Sequence, residues 1–309
     1  MSESCKRDEN GNFFAIYGPF QLRTAYQPIF RLSRRGAAIH GFEGLIRVHA
    51  SGGKKLPPVR FFPLVRDEDR FWVECACREL HLRNMRRFSS LPPVLFANFD
   101  PSVYEDRVAT DREIDRMEHL VDEIGLRPER IVCEITEQRA RSSGSLAFLV
   151  DRLRGAGYRI ALDDYGADES DADRIDQIAP DIVKFDAAWI RRLLETPAGY
   201  NLLATMVGQF RSRGIETLFE GLEERWQLEL AETMGVEMAQ GFILARPELA
   251  PAHFADLFAT PDDEAFKLSD APLPDLGADP LPQVFDNEDR YSGDVLSQFK
   301  HQAFGRRFG

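Results

Sequence analysis

The sequence predicts a modified (β/α)8 TIM-like barrel, of the α/β class, with an antiparallel first strand. Three observations carry this. Eight short segments rich in β-branched, aromatic and aliphatic residues recur along the chain. Amphipathic helical stretches separate most of them. The first two lie too close together for a parallel crossover.

The eight segments are Leu22–Leu32, Ile39–Val48, Val94–Asp100, Ile131–Glu137, Arg159–Gly166, Ile182–Asp186, Glu216–Leu222 and Met238–Leu244. Several are near-continuous apolar runs, such as Ile160-Ala161-Leu162 and Gly241-Phe242-Ile243-Leu244, as strands covered on both faces require. Leu146 to Arg154 has apolar residues at helical spacing, with Gly155 or Gly157 to stop it in a left-handed cap, and Glu223 to Met234 repeats the design before Gly235. Only Ser33 to Ala38 separates the first two segments, so they form a hairpin around Arg34-Arg35-Gly36. The expected organisation is a short N-terminal segment over 1–21, the barrel over 22–260 and a tail over 261–309. That segment is too short to fold alone. The tail has ten acidic residues against five basic ones from Asp262 onward, interrupted by Pro272, Pro274, Pro280 and Pro282. Its aromatic residues, Phe285, Tyr291, Phe299, Phe304 and Phe308, leave docking to a regulatory protein partner open.

A net charge of −12 argues against a nucleic-acid polymer as partner, since polyanions attract basic surfaces. It does not exclude a small phosphodiester held by metal ions or local Arg and Lys. Cys5, Cys75, Cys77 and Cys133 form no C-x-x-C pair or Cys/His cluster, and read as inert thiols of a reducing compartment. Met1 to Asn12 has no apolar core of a signal peptide, and no uncharged apolar run is long enough to span a membrane. The expected location is the cytoplasm.

The chemistry stands at the carboxyl ends of the predicted strands: Glu43, Asn98, Glu134, Asp163 with Asp164, Lys184 with Asp186, Glu220 and Gln240. Active sites of such barrels form at that end. A carboxylate following an apolar run is expensive to bury without a partner, so acids converging there need cations. The ligand atoms are oxygens, with no His or Cys among them, which favours magnesium or manganese over zinc. The adjacent Asp163 and Asp164 suit two divalent ions, an arrangement that serves in-line displacement at phosphorus. Lys184 offers a cation to a phosphate oxygen or to the attacking water. An Arg47 four residues past Glu43 can reach a second phosphate oxygen, and Leu45 offers a guanine ring an apolar surface.

These residues stand in motifs. They are Gln27-Pro28-Ile29, Glu43-Gly44-Leu45-Ile46-Arg47, Asn98, Glu134-Ile135-Thr136-Glu137 and Asp163-Asp164-Tyr165-Gly166, then Lys184-Phe185-Asp186, Glu220-Gly221-Leu222-Glu223 and Gln240 through Pro247. In that order, from about Thr24 to Pro247, the chain resembles the EAL-domain phosphodiesterases, which hydrolyse cyclic di-GMP to linear pGpG. The resemblance implies a barrel with a reversed first strand and two ions, Mg2+ or Mn2+. Glu43, Asn98, Glu134 and Asp163 would hold the first ion; Asp163, Asp164 and Glu220 would hold the second. Lys184 would position the attacking water, Glu220 would be a candidate base, and Gln240 would hydrogen-bond near the first ion. Arg47 would contact a phosphate, with Gln27, Leu45, Asp186, Glu223 and Pro247 along the substrate groove. Thr136 and Glu137 would brace the loop after Asp164. A homodimer is implied as well.

Two positions depart from the family pattern. Gly44 replaces the usual Ala, a change that adds no bulk. Asp168 stands where a second glycine is usual, in the loop that helps order the second ion and the dimer contact. The alternatives are a catalytically impaired receptor, which binds cyclic di-GMP and signals through a partner, and a scaffold with a vestigial site.

Overall fold

The computed structural model describes residues 5–33, 36–86, 93–136, 142–166 and 171–250. Eight strands close into a barrel: β1 (Phe20–Ser33), β2 (Gly36–Ala50), β3 (Val94–Phe99), β4 (Ile131–Ile135), β5 (Arg159–Tyr165), β6 (Ile182–Phe185), β7 (Glu216–Phe219) and β8 (Met238–Ala239). Neighbours from β2 to β8 pair in parallel. β1 runs antiparallel to both β2 and β8, closing the ring as the reversed strand that the short connection predicts.

Strand alternation lays the interior down in layers. Ile29, Val94, Phe96, Val132, Ala161, Ile182, Leu218 and Met238 form one buried cluster that plugs the barrel. Two residues further along come Gln27 on the reversed strand, then Asn98, Glu134, Asp163, Lys184, Glu220 and Gln240. A period of two returns each side chain to the same face. On β2 the corresponding pair is Gly41 and Glu43. A side chain at Gly41 would meet the Val94 carbonyl at 2.4 Å, so glycine lets β2 and β3 approach there. The residues between, such as Phe42, Cys133, Leu162, Val183 and Phe219, face outward into the larger core under the helices. At the opposite end Glu216 bridges Arg31 (2.7 Å) and Arg159 (2.5 Å), tying β1, β5 and β7 together.

Helices α1 (Arg70–Met85), α2 (Arg107–Glu123), α3 (Ser143–Gly155), α4 (Asp171–Ile178), α5 (Ala187–Leu194), α6 (Pro197–Ser212) and α7 (Arg225–Met234) pack outside the strands. The Ser142 side chain caps α3, accepting from the Ser145 N–H at 3.1 Å, and Gly157 follows the helix with φ +82°. Before α7, Gln227 Oε1 accepts from the N–H groups of Glu223 and Glu224, and Gly235 ends the helix at φ +77°. All four cysteines are buried free thiols. No helix among the described residues is long and apolar enough to cross a membrane.

Three expectations change. The apolar run Gly241 to Leu244 is not strand: β8 ends at Ala239, and the Leu244 and Ala245 N–H groups turn back onto the Gly241 carbonyl. Gly241 lies against the Leu222 backbone, with no room for a Cβ, so close approach bends the chain where hydrophobicity alone suggested extension. Glu43 is not at a strand terminus either, because β2 continues to Ala50; it is the last residue of β2 paired with β3. Finally, the boundary expected at residue 22 falls inside β1, and strands at Cys5–Arg7 and Phe13–Tyr17 extend the sheet antiparallel beside it. The tail over 261–309 lies outside the described residues.

Helix α1 meets β2 through an unusual contact. The His81 ring lies over Gly44, where a Cβ would come within 2.7 Å of Cγ. His81 is held by a 3.1 Å hydrogen bond between Nδ1 and the Thr24 hydroxyl, while its carbonyl accepts from Tyr26 Oη at 2.6 Å. Glycine in the Glu43–Arg47 motif is thus the complement of a large ring on the helix. Gly44→Ala is expected to cost about 1–3 kcal/mol by overpacking. Chemical denaturation of Gly44→Ala and of Gly44→Ala/His81→Ala tests this; the double variant should recover part of the loss, and additive losses would disprove the contact.

Burial also pushes the His81 pKa from 6.5 down to about 3, with Arg78 and Arg47 adding to the shift. The folded state therefore binds fewer protons than the unfolded state between these values. The contribution is fully present above pH 6.5 and is lost as pH falls toward 3. It amounts to about 2 kcal/mol between pH 7 and pH 5. Denaturation midpoints should fall more steeply over that range in the wild type than in His81→Gln. Parallel curves would contradict the assignment.

Candidate active site

The polar layer above the apolar plug is tightly coupled. Lys184 Nζ forms an ion pair with Glu134, lies 2.6 Å from Glu220 Oε1 and 3.0 Å from Asp163 Oδ1, and stands 4.0 Å from Glu43 Oε1. Lys184 is 1% exposed and Glu134 fully buried. Burial works against the charged ammonium, but Asp163, Glu134, Glu220 and Glu43 outweigh it and hold the Lys184 pKa well above its usual value. Burial pushes the Glu134 carboxyl up; Lys184 opposes this, and the neighbouring carboxylates reinforce it. Gln240 Nε2 donates to Glu43 Oε2 at 2.9 Å, fixing the carboxylate on β2 from just beyond β8, the other neighbour of the reversed strand.

One ammonium does not balance four carboxylates in a buried layer. Glu134, Asp163 and Glu220 present oxygens that all lie within 4.8 Å of one another. That spacing is close to twice a metal–oxygen distance of about 2.1–2.5 Å, and the donors are the oxygens that hard divalent ions take. The residues therefore fit a divalent cation. The cluster straddles the two expected ligand groups and contains Asp163, the residue common to both.

Asp163 and Asp164 are adjacent, and a regular strand would send them to opposite faces. The pairing of β5 with β6 shifts register between Leu162 and Tyr165, and Asp164 has φ +53°. A bulge of this kind re-aims a side chain, and its left-handed backbone has a local cost that Asp tolerates better than most residues. Gly166 follows at φ +95°, with no room for a Cβ beside the Trp189 ring. Trp189, Tyr165, Phe185 and Phe210 pack ring against ring beneath this turn.

Other expected residues spread along the mouth. Gln27 is buried and donates to the Ala245 carbonyl at 3.4 Å, joining β1 to the turn before Pro247, which is half-buried. Arg47 is half-buried, donates to the Ile46 carbonyl at 3.0 Å, and has its pKa lowered by burial, with Glu43 acting in the opposite sense. Glu223 is exposed, 3.6 Å from Arg191. Leu45 is a correction: it has no exposed surface, being enclosed in the wall beside Ala25, so no apolar face is open for a guanine there. Asp186 caps α5 through Oδ1, which accepts from the Trp189 N–H at 2.8 Å, so that oxygen serves the helix. Thr136 is fully buried, and its carbonyl accepts from Arg174 Nη2 at 2.5 Å. Arg174 was not legible as a partner of Thr136, because only the fold brings α4 over the end of β4. Glu137 and the 167–170 loop containing Asp168 lie outside the described residues.

The EAL domain family model matches residues 20–247. The chain is 27% identical over 253 residues to the cyclic di-GMP phosphodiesterase RocR of Pseudomonas aeruginosa, covering 80% of this chain and 60% of that protein. It is 29% identical over 235 residues to the cyclic di-GMP phosphodiesterase PdeB of Shewanella oneidensis, covering 74% of this chain and 26% of that protein. The chain thus spans less than two thirds of the length of either relative. Its fold is similar to that of a Klebsiella pneumoniae BlrP1 manganese/cy-diGMP complex, with a TM-score of 0.65 and 23% identity, over 81% of this chain and 60% of that one. The match runs from the first residue of β1 to the turn beyond β8 and includes every strand of the polar layer, so the chain belongs to the EAL domain family.

Proposed function

We propose that this protein hydrolyses cyclic di-GMP to linear pGpG in a metal-dependent reaction. The observation that carries the reading is the buried trio Glu134, Asp163 and Glu220 gathered around Lys184 at the mouth of an EAL-type barrel. Magnesium or manganese would be held by Glu43, Asn98, Glu134 and Asp163 at one position and by Asp163, Asp164 and Glu220 at a second. Ions bound there supply Lewis acidity at phosphorus and a water ionised near neutral pH.

The remaining roles belong to the chain's own residues. Lys184, held protonated by its carboxylate neighbours, donates hydrogen bonds to the attacking water or a phosphate oxygen and is not a base. Glu220 is the acceptor for the water's proton, a role supported by its place in the cluster. Water oxygen bonds to phosphorus as the bond from phosphorus to the ribose 3′ oxygen breaks; that oxygen takes up a proton, and pGpG keeps the phosphate on its 5′ end. Gln240 holds Glu43 in place, Arg47 binds phosphate, and Gln27, Glu223 and Pro247 border the groove. We further propose a cytoplasmic homodimer, with the 261–309 tail available to a regulatory partner.

Incubation with cyclic di-GMP and manganese or magnesium, followed by chromatography, tests the reading. Conversion to pGpG is expected, reduced about 100-fold or more in Asp163→Asn, a barrier change of about 2.7 kcal/mol. Tight binding without conversion would replace the hydrolase by a receptor. Neither binding nor conversion would leave a scaffold.

Lys184→Met removes the ammonium from among the carboxylates. In chelator-treated protein the variant is expected to lose about 3 kcal/mol of stability. Manganese should then raise its Tm by more than it raises the wild-type Tm. Equal shifts in the two proteins would mean that Lys184 does not balance this charge.

A further inference from the structure

Helix α1 buries charged and polar groups that the proposed chemistry does not use. Glu74 and Arg78 stand one turn apart, both almost fully enclosed, with Arg78 Nη1 3.1 Å from Glu74 Oε1. An internal ion pair is a weak source of stability, since apolar side chains of similar volume often do as well or better. Its location is more telling. Arg78 Nη1 donates to the Asn98 carbonyl at 3.5 Å, the guanidinium carbon lies 4.2 Å from the centre of the Phe99 ring, and Glu74 Oε1 accepts from the Asp100 N–H at 2.8 Å. Three consecutive residues are gripped by the pair.

The strand ladder explains why that grip is needed. β3 pairs with β4 up to Phe99–Ile135, but its pairing with β2 stops at Glu43–Phe96. Beyond Phe96, β3 therefore has a strand neighbour on one side among the described residues. Successive residues of a strand turn their N–H and C=O groups to alternate sides. The Phe99 carbonyl accepts from the Thr136 N–H, toward β4, so the Asn98 carbonyl and the Asp100 N–H face the side that β2 has left. Arg78 and Glu74 occupy that side and take both groups.

We propose that Glu74 and Arg78 are positioning residues that substitute for the missing strand and hold the Asn98 side chain in the polar layer, toward the divalent ion. The inference rests on the reading of Asn98 as a metal ligand. Groups that orient a ligand from behind typically change metal affinity 10–100-fold when removed. The pair is not isolated from its surroundings: Glu113 lies 3.5 Å from Arg78 but is itself held by Arg116 at 2.9 and 3.0 Å. Glu113 thus keeps a charge partner when Arg78 is replaced.

The test is manganese affinity of the full chain by titration calorimetry, with denaturation and hydrolysis measured on the same preparations. Glu74→Leu/Arg78→Met removes both charges and both backbone contacts. It is expected to fold with a midpoint near the wild type and to bind manganese about 10-fold more weakly or worse. Asn98→Ala should weaken manganese binding comparably, and adding it to the double variant should cause little further loss. Wild-type affinity in the folded double variant, or losses that simply multiply, would overturn the proposal. If the double variant does not fold, Glu74→Gln and Glu74→Met decide. The first keeps an acceptor for the Asp100 amide and should bind as the wild type does; the second should bind at least several-fold more weakly, and equal affinities would overturn the proposal. Wild-type binding without hydrolysis removes the hydrolase reading, and the positioning role is then judged on the affinities alone. A wild type that binds no manganese overturns both.

Discussion

Four carboxylates share one buried ammonium inside a closed ring of strands, and the rest of this barrel is arranged around that constraint. Glu43, Glu134, Asp163 and Glu220 come from β2, β4, β5 and the end of β7, and Lys184 comes from β6 between them. Bringing like charges out of water is unfavourable unless opposite charge is supplied. Lys184 supplies part of it, and the spacing of the carboxylate oxygens suits a divalent ion for the remainder.

The surrounding structure keeps these groups where repulsion would spread them. Below them, Val132, Ala161, Ile182 and Leu218 fill the barrel, so the polar side chains cannot sink inward. Around them, the parallel ladders fix strand heights, and the bulge at Asp164 alters the alternation where two acids stand in succession. Where the ladder between β2 and β3 ends early, helix α1 supplies side chains in its place. The same helix sets His81 against Gly44, so one element touches both strands that bear Glu43 and Asn98.

Much of this was legible because period-two patterning and turn chemistry are local. The eight strand segments, the hairpin between β1 and β2, the glycine stops after α3 and α7, and the polar residues that follow the apolar runs of β3 to β7 all follow from spacing along the chain. The run Gly241 to Leu244 misled because hydrophobicity registers burial and not direction; the Leu222 backbone bends the chain there. Leu45 misled for a related reason, since an aliphatic residue beside the site is as readily wall as contact surface. Glu74, Arg78 and His81 carried no signal of their own, because charged residues four apart on a helix ordinarily mark a solvated face.

The sequence by itself determined the fold class, the reversed first strand and the identity of the groups at the barrel mouth, since each depends on residues near one another in the chain. Only the tertiary structure decided which carboxylates converge on Lys184, which glycine accommodates a ring from another element, and which buried ion pair takes the Asn98 carbonyl and the Asp100 amide. Those outcomes depend on distances between segments far apart in sequence, set when the strands close into a ring and the helices pack against it.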